Sequence, residues 1–227
     1  METWAFIVDN YDLIIMRTIE HISLVGVAIG LAIVTGIPIG IAITQNKKAA
    51  DIVLYIAAII MTIPSIALFG VMIPILSTIG HGIGYVPAVI AVLLYSQLPI
   101  IRNTYTAIYN VDPALREAAR GMGMSPLQRL RMVELPLAVP VIMAGIRSAV
   151  VMSIGIMAIA AYIGAGGLGT FISRGISQTD ARQLITGAIA VSILAIVADS
   201  FLLWLQNRLT PTGLKRVWPH PDRSSET

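Results

Sequence analysis

Apolar residues run through this chain in long blocks, at 21–44, 52–79, 86–109, 136–163 and 184–206. Each block reaches the roughly 20 residues that a helix needs to cross a hydrocarbon layer. The pattern predicts an all-α, polytopic membrane protein of about five transmembrane helices. The polar stretches between the blocks are short at 45–51 and 80–84, longer at 164–183, and unexpectedly elaborate at 112–136. Residues 1–19 mix Trp4, Phe6, Tyr11 and Leu13 with acids, which predicts an interfacial helix lying along the membrane surface. The expected organisation is therefore an interfacial segment at 1–19, a membrane core at 20–206 and a polar cytoplasmic tail at 207–227.

Details within the blocks refine this picture. Gly26/Gly30 and Gly36/Gly40 in the first block are both spaced for close helix approach. The second block is interrupted by Ile63-Pro64-Ser65 and is long for one span but short for two, so it reads as one tilted, kinked helix. Such a break serves either packing or a cavity. The second half of the third block carries Gln97, Pro99, Arg102, Asn103 and Thr104, which should face the bundle interior. Arg147 in the fourth block and Asp199 in the fifth differ in expected depth by about 5 Å. They are predicted to pair, because a lone charge at that depth is costly.

Composition agrees with the pattern. Of 227 residues, 56% are hydrophobic and 12% charged, with a mean hydropathy of +0.84. A soluble domain of this size could not cover so much apolar surface. The formal net charge is +3, but its distribution says more than its size. If the chain starts outside, Lys47, Lys48, Arg102, Arg116, Arg120, Arg129, Arg131, Arg208, Lys215, Arg216 and Arg223 fall inside, 11 of the 15 basic residues. Only Arg17, Arg174 and Arg182 fall outside, with Arg147 in the membrane. The positive-inside rule then puts the N-terminus outside, and 112–136 and the C-terminus in the cytoplasm. The first residues lack the basic start of a cleavable leader, so the first spanning helix is expected to direct insertion.

Candidate chemistry is mostly excluded. Without cysteine, disulfides and thiolate sites are ruled out. The run Gly164-Ala-Gly-Gly-Leu-Gly169 matches a dinucleotide-binding pattern but follows an expected membrane helix, so it reads as a tight or re-entrant outer turn. No lysine follows a G-x-x-x-x-G, so ATP is not bound through a phosphate loop. His21, His81 and His220 are scattered and form neither a metal site nor a catalytic set. No catalytic constellation is found, so an enzyme is not expected, and neither is a nucleic-acid partner.

The stretch 112–136 holds seven of the 27 formal charges (15 Lys and Arg, 12 Asp and Glu). Asp112-Pro113 reads as a helix start, Ser125-Pro126-x-Gln128 as a second start with a capping box, and Gly121 and Gly123 as the turn between. Glu117-Ala118-Ala119, three residues, Gly123, nine residues, then Val133-Glu-Leu135-Pro136 resembles the EAA loop of ABC-importer permeases, with Val133 where that pattern has Ile. The five-span core resembles the type I permease fold of that family. The resemblance implies that Glu117, Ala118, Ala119, Gly121, Gly123, Val133, Leu135 and Pro136 couple the chain to a separate cytoplasmic ATPase. Ala118 and Ala119 would form a small-sided face sinking into the partner's groove.

Three runs, at 62–65, 98–105 and 161–169, are similar to the permeases of osmoprotectant uptake (glycine betaine, carnitine, choline). Methionine-importer permeases share the architecture. The implied partners are ATPase subunits, a second permease copy or paralogue, an extracytoplasmic substrate-binding protein and the bilayer of a bacterial cytoplasmic membrane. The implied cofactor, ATP with magnesium, belongs to the ATPase. Pro64, Ser65, Tyr95, Gln97, Arg102, Asn103, Arg147 and Asp199 are the expected translocation-path residues. Aromatic faces at Tyr85, Tyr95, Tyr105 and Tyr162 suit a quaternary ammonium as well as they suit interface anchoring. The rival readings are a secondary carrier or channel, with Arg102, Arg147 and Asp199 as its ion path, and a membrane enzyme.

Overall fold

The computed structural model describes residues 2–210; most of the expected tail, with Lys215, Arg216, His220 and Arg223, lies outside the described residues. Ten α-helices follow one another: α1 (Glu2–Asp9), α2 (Tyr11–Ala42), α3 (Lys47–Thr62), α4 (Ser65–Ser77), α5 (Tyr85–Tyr109), α6 (Pro113–Gly121), α7 (Pro126–Arg129), α8 (Leu135–Ile159), α9 (Gly169–Ser177) and α10 (Ala181–Leu209). The helical path expected to start near residue 21 starts at Tyr11, so 1–19 is not one interfacial helix. Asn10 marks the break between α1 and α2, and α1 packs beside α10.

Helix pairings fix the topology. Gly36 lies against Gln97 and Ile100, and Gly40 against Ile101 and Thr104, so α2 and α5 run in the same direction. Gly84 N donates to Ile163 O at 2.9 Å and the Ser96 and Ser153 hydroxyls meet at 3.0 Å, so α5 and α8 are antiparallel. Arg147 meets Asp199, and Gln206 meets Pro140, so α10 returns alongside α8. For α5 to repeat the direction of α2, the chain between them must recross the layer, and α3 with α4 makes that fifth crossing.

This crossing is not the single kinked helix expected. The axes of α3 and α4 meet at 98°. Their 16 and 13 residues give about 24 and 20 Å, each short of a span near 30 Å. Ile63 and Pro64 are both extended (ψ 127° and 134°). Proline disfavours helical geometry in the residue before it and supplies no N–H, so the helix stops here. Tyr95 from α5 donates its hydroxyl to the Ile63 carbonyl that the break exposes.

Helix α5 occupies the centre, flanked by α2 and α8. Where lipid is as apolar as leucine, helices associate by close contact and polar bridges. Accordingly the interfaces use Ala28, Ala32, Ala88, Ala91 and Ala149, all fully buried, with Phe69, Val92 and Met157 filling between them. The Ser96–Ser153 bridge and a 3.0 Å hydrogen bond from Gln97 to Thr35 add polar ties. Of the two paired-glycine sites in α2, Gly36/Gly40 packs closely against α5, whereas among the described residues none comes within 4 Å of where a Cβ on Gly26 or Gly30 would stand. Val27, Leu31, Val34, Ile189, Ile193 and Ile196 point outward, as lipid-facing positions would.

Candidate functional site

At the end of the bundle shared by Ile43–Gln45, the last turn of α5 and the last turn of α10, residues 112–136 fold into a compact knob. Asp112 caps α6, its Oδ1 accepting from Ala114 N at 2.8 Å, with Pro113 at the first helical position. The helix ends in a Schellman turn: Met124 N donates to Ala119 O and Gly123 N to Arg120 O, with Gly123 at φ +79°. Ser125 and Gln128 then form the reciprocal capping box, at 2.8 and 3.3 Å. From α7 the path continues through a five-residue π turn, Leu130–Glu134, directly into α8. Val133, Leu135 and Pro136 therefore lie where the knob becomes a membrane helix.

Glu134 fastens the knob. It is buried, and its Oε1 accepts from Arg129 Nε at 2.9 Å and lies 3.2 Å from Arg116 Nε, a charge contact without hydrogen-bond alignment. The Arg116 guanidinium also donates through Nη2 to the Ile108 carbonyl in the last turn of α5. One carboxylate thus joins the end of α5, α6, α7 and the start of α8. The motif contains Glu134 without marking its role; the arginines on both helices that precede it, Arg116 and Arg129, are the clue that the sequence offers.

The two alanines separate. Ala119 is 1% exposed and packs inward, so it is not part of an outer groove-filling face as expected. Ala118, Glu117 and Gly121 remain on the outside. Leu115, Ala118 and Met122, spaced three and four residues apart, present one apolar stripe of α6, and Met122 is 69% exposed. Leu127 and Met132, elsewhere on the knob, are exposed as well. Apolar side chains gathered on a charged knob mark a surface that another molecule covers.

The opposite end of the bundle carries a latch that sequence reasoning missed. Glu20 Oε2 accepts from Gly167 N at 2.9 Å and is paired with Arg17 at 2.7 Å. His21 is fully buried, accepting from Leu168 N through Nδ1 (3.3 Å) and therefore donating through Nε2 to Ile154 O (3.1 Å). The glycine-rich run is the tight turn expected. Gly167 has φ +69°, and a Cβ there would come within 2.9 Å of His21 Nδ1. After the turn comes helix α9, which the expected loop at 164–183 did not anticipate. Asp180 then caps α10; the Arg182 guanidinium, and Gln183 beside it, hold its carboxyl down to about 2.

Midway along α8, Arg147 forms the predicted pair with Asp199 as a two-point fork, Nε–Oδ1 3.0 Å and Nη2–Oδ2 2.9 Å. Arg147 Nη1 also donates to Gln206 Oε1 at 3.2 Å. The other expected path residues do not join them. Tyr95 and Gln97 are buried in contacts with α3 and α2, and Asn103 donates to Pro99 O beside Gly145. Pro64 and Ser65 lie at the α3–α4 break, and Arg102 is exposed on the half of α5 nearer the knob.

A family model described as "Binding-protein-dependent transport system inner membrane component" matches residues 32–211, a range that contains the knob and the latch loop. The osmoprotectant import permease protein OsmW of Salmonella typhimurium is 55% identical over 215 residues, covering 95% of this chain and 100% of that protein. The choline transport system permease protein OpuBB of Bacillus subtilis is 42% identical over 212 residues, 93% of this chain and 95% of its own. Among solved structures, a chain of the inward-facing MetNI methionine ABC transporter superposes with a TM-score of 0.80 at 26% identity, over 88% of this chain and 97% of that one. An amino acid ABC transporter with a TM-score of 0.74 and 20% identity shares the fold.

Proposed function

Because this chain belongs to the family of binding-protein-dependent transport system inner membrane components, we propose that it forms the membrane passage of an importer for compatible solutes such as glycine betaine, carnitine or choline. The 55% identity to an osmoprotectant import permease over nearly the whole chain carries the substrate class. The knob is the natural seat for a cytoplasmic ATPase. Its apolar stripe of Leu115, Ala118 and Met122, rimmed by Glu117 and Arg120, suits a partner groove, with Gly121 and Gly123 closing its turn. Because α7 runs on into α8, movement of the knob moves a membrane helix. ATP and magnesium would be held by the partner ATPase subunits, whose closure would draw the knobs of two permease chains together and turn the passage outward.

The latch end would face the extracytoplasmic binding protein. Among the described residues it carries Arg17, Arg174 and Arg182, against eight basic residues at the knob end, so the positive-inside rule places the N-terminal end outside. The passage would draw on the α3–α4 break at Pro64 and Ser65, the inner half of α5 with Arg102, and the Arg147–Asp199 pair.

Reconstitution with the ATPase and binding-protein partners tests this directly. Labelled glycine betaine should accumulate in vesicles only when both partners and ATP are present, and methionine should not compete. Uptake that persists without the ATPase, or that methionine displaces, contradicts the proposal.

A further inference from the structure

An open cleft of about 540 Å³ lies beside the Arg147–Asp199 pair, lined by Ala144, Arg147, Ser148, Val151, Met152 and Asp199. Arg147 sits twelve residues from either end of Leu135–Ile159, so it lies about 18 Å from both, at the centre of the layer. There the side chains of Arg147 and Asp199 remain 22% and 39% exposed, and both line the cleft. Charges at that depth do not face lipid tails; they face a protein neighbour or a water-filled cavity. A second groove on the same helices has the opposite character. It is 210 Å³ in size, lined by side chains such as Ile22, Val25, Ile29, Val150, Leu194 and Phe201, and holds no charge.

The charged cleft has a further property. Gln206 holds Arg147 through Nη1 and is itself fixed by donating to Pro140 O at 3.1 Å. The guanidinium therefore keeps an anchor when Nε and Nη2 leave Asp199. A positive fork and a carboxylate are then offered side by side in one cavity, well able to hold a solute of a few heavy atoms.

We propose that this cleft is a transit subsite for a small zwitterion, whose carboxylate takes the Nε/Nη2 fork of Arg147 while its cationic group takes Asp199. Two charges of each sign are present before and after the exchange, so no unpaired charge is created in the membrane. The proposal rests on the transport function above and adds the residues that meet the solute and the charge pattern they select.

The absence of cysteine from the chain makes the test clean. Ser148→Cys places one thiol on the cleft wall, and Val34→Cys places one on the outward face of α2, where Val34 is 70% exposed. Both are made in the complete transporter in vesicles and treated with a small charged thiosulfonate. Ser148→Cys should react faster, and glycine betaine should slow it about tenfold, the effect of one charge-assisted hydrogen bond. Choline, which lacks the carboxylate, should protect less. Adding Arg147→Gln with Asp199→Asn should abolish protection while labelling continues. In an otherwise unchanged chain, Ser148→Leu should fill the cleft and lower betaine uptake. Labelling of Ser148→Cys as slow as that of Val34→Cys overturns the proposal. So does absent protection, or full uptake by Ser148→Leu, in vesicles where the parent chain transports betaine. Failure of the parent chain to take up betaine removes the transport function and this subsite with it.

Discussion

At the residue scale, the pair Arg147–Asp199 decides how the α8–α10 interface is held. Removing one partner leaves a charge near the layer's centre; replacing both by apolar residues leaves none. Asp199→Ala should therefore lower thermal stability in detergent by about 1–3 kcal/mol. Arg147→Met with Asp199→Leu should lower it less. Equal losses would show that the pair's geometry, not charge compensation, matters. The pair was legible in the sequence because depth follows from counting residues and the cost of a lone charge is large. Glu20 and His21 were not legible: their partners in the glycine turn lie 147 positions away, and nothing local marks the contact. Ala118 and Ala119 show another limit. Two adjacent small residues suit either a partner's groove or the chain's own packing, and only the helix phase, set by contacts with the knob's other arm, sends Ala119 inward.

Among elements, local chemistry was easy to read and angles were not. Both helix starts in the knob and its capping box follow from side chains bonding backbone within three residues, and its glycine turn from main-chain bonds within five, so sequence sufficed. The site of the α3–α4 break was also visible, since proline marks it. Its 98° angle was not, because it depends on α5 arriving to bond the freed Ile63 carbonyl. Tyr95→Phe removes that donor and keeps the ring. It should destabilise the fold by about 1 kcal/mol, the usual consequence of leaving a buried carbonyl unpaired. Its transport rate should fall as well if the break lines the passage. Thermal melts and uptake in the same vesicles measure the two effects separately, and a variant with wild-type stability would show that the carbonyl finds another partner. The paired glycines teach a related lesson: identical spacing at Gly26/Gly30 and Gly36/Gly40 has different outcomes, because only the second pair faces α5.

Across the whole molecule, five crossings put the glycine latch and the knob on opposite faces, and the direction of α2 relative to α5 requires the odd count. Single cysteines in this cysteine-free chain read the sidedness directly. Thr179→Cys, in the turn before α10, should react with an impermeant reagent added outside intact cells, and Gln128→Cys in the knob only after the membrane is opened. The reverse pattern would invert the topology.

On the function proposed above, the knob transmits ATPase motion to α8 through its apolar stripe. Leu115→Glu with Met122→Glu puts two charges on that stripe and leaves Glu134, Arg116 and Arg129, which hold the knob together, in place. The most direct measurement is ATP-driven glycine betaine uptake by this variant in vesicles containing the ATPase and binding protein. Uptake should fall at least about tenfold, as expected when buried interface anchors become charged, with the chain still inserted in the membrane. Uptake at the parent rate would contradict it.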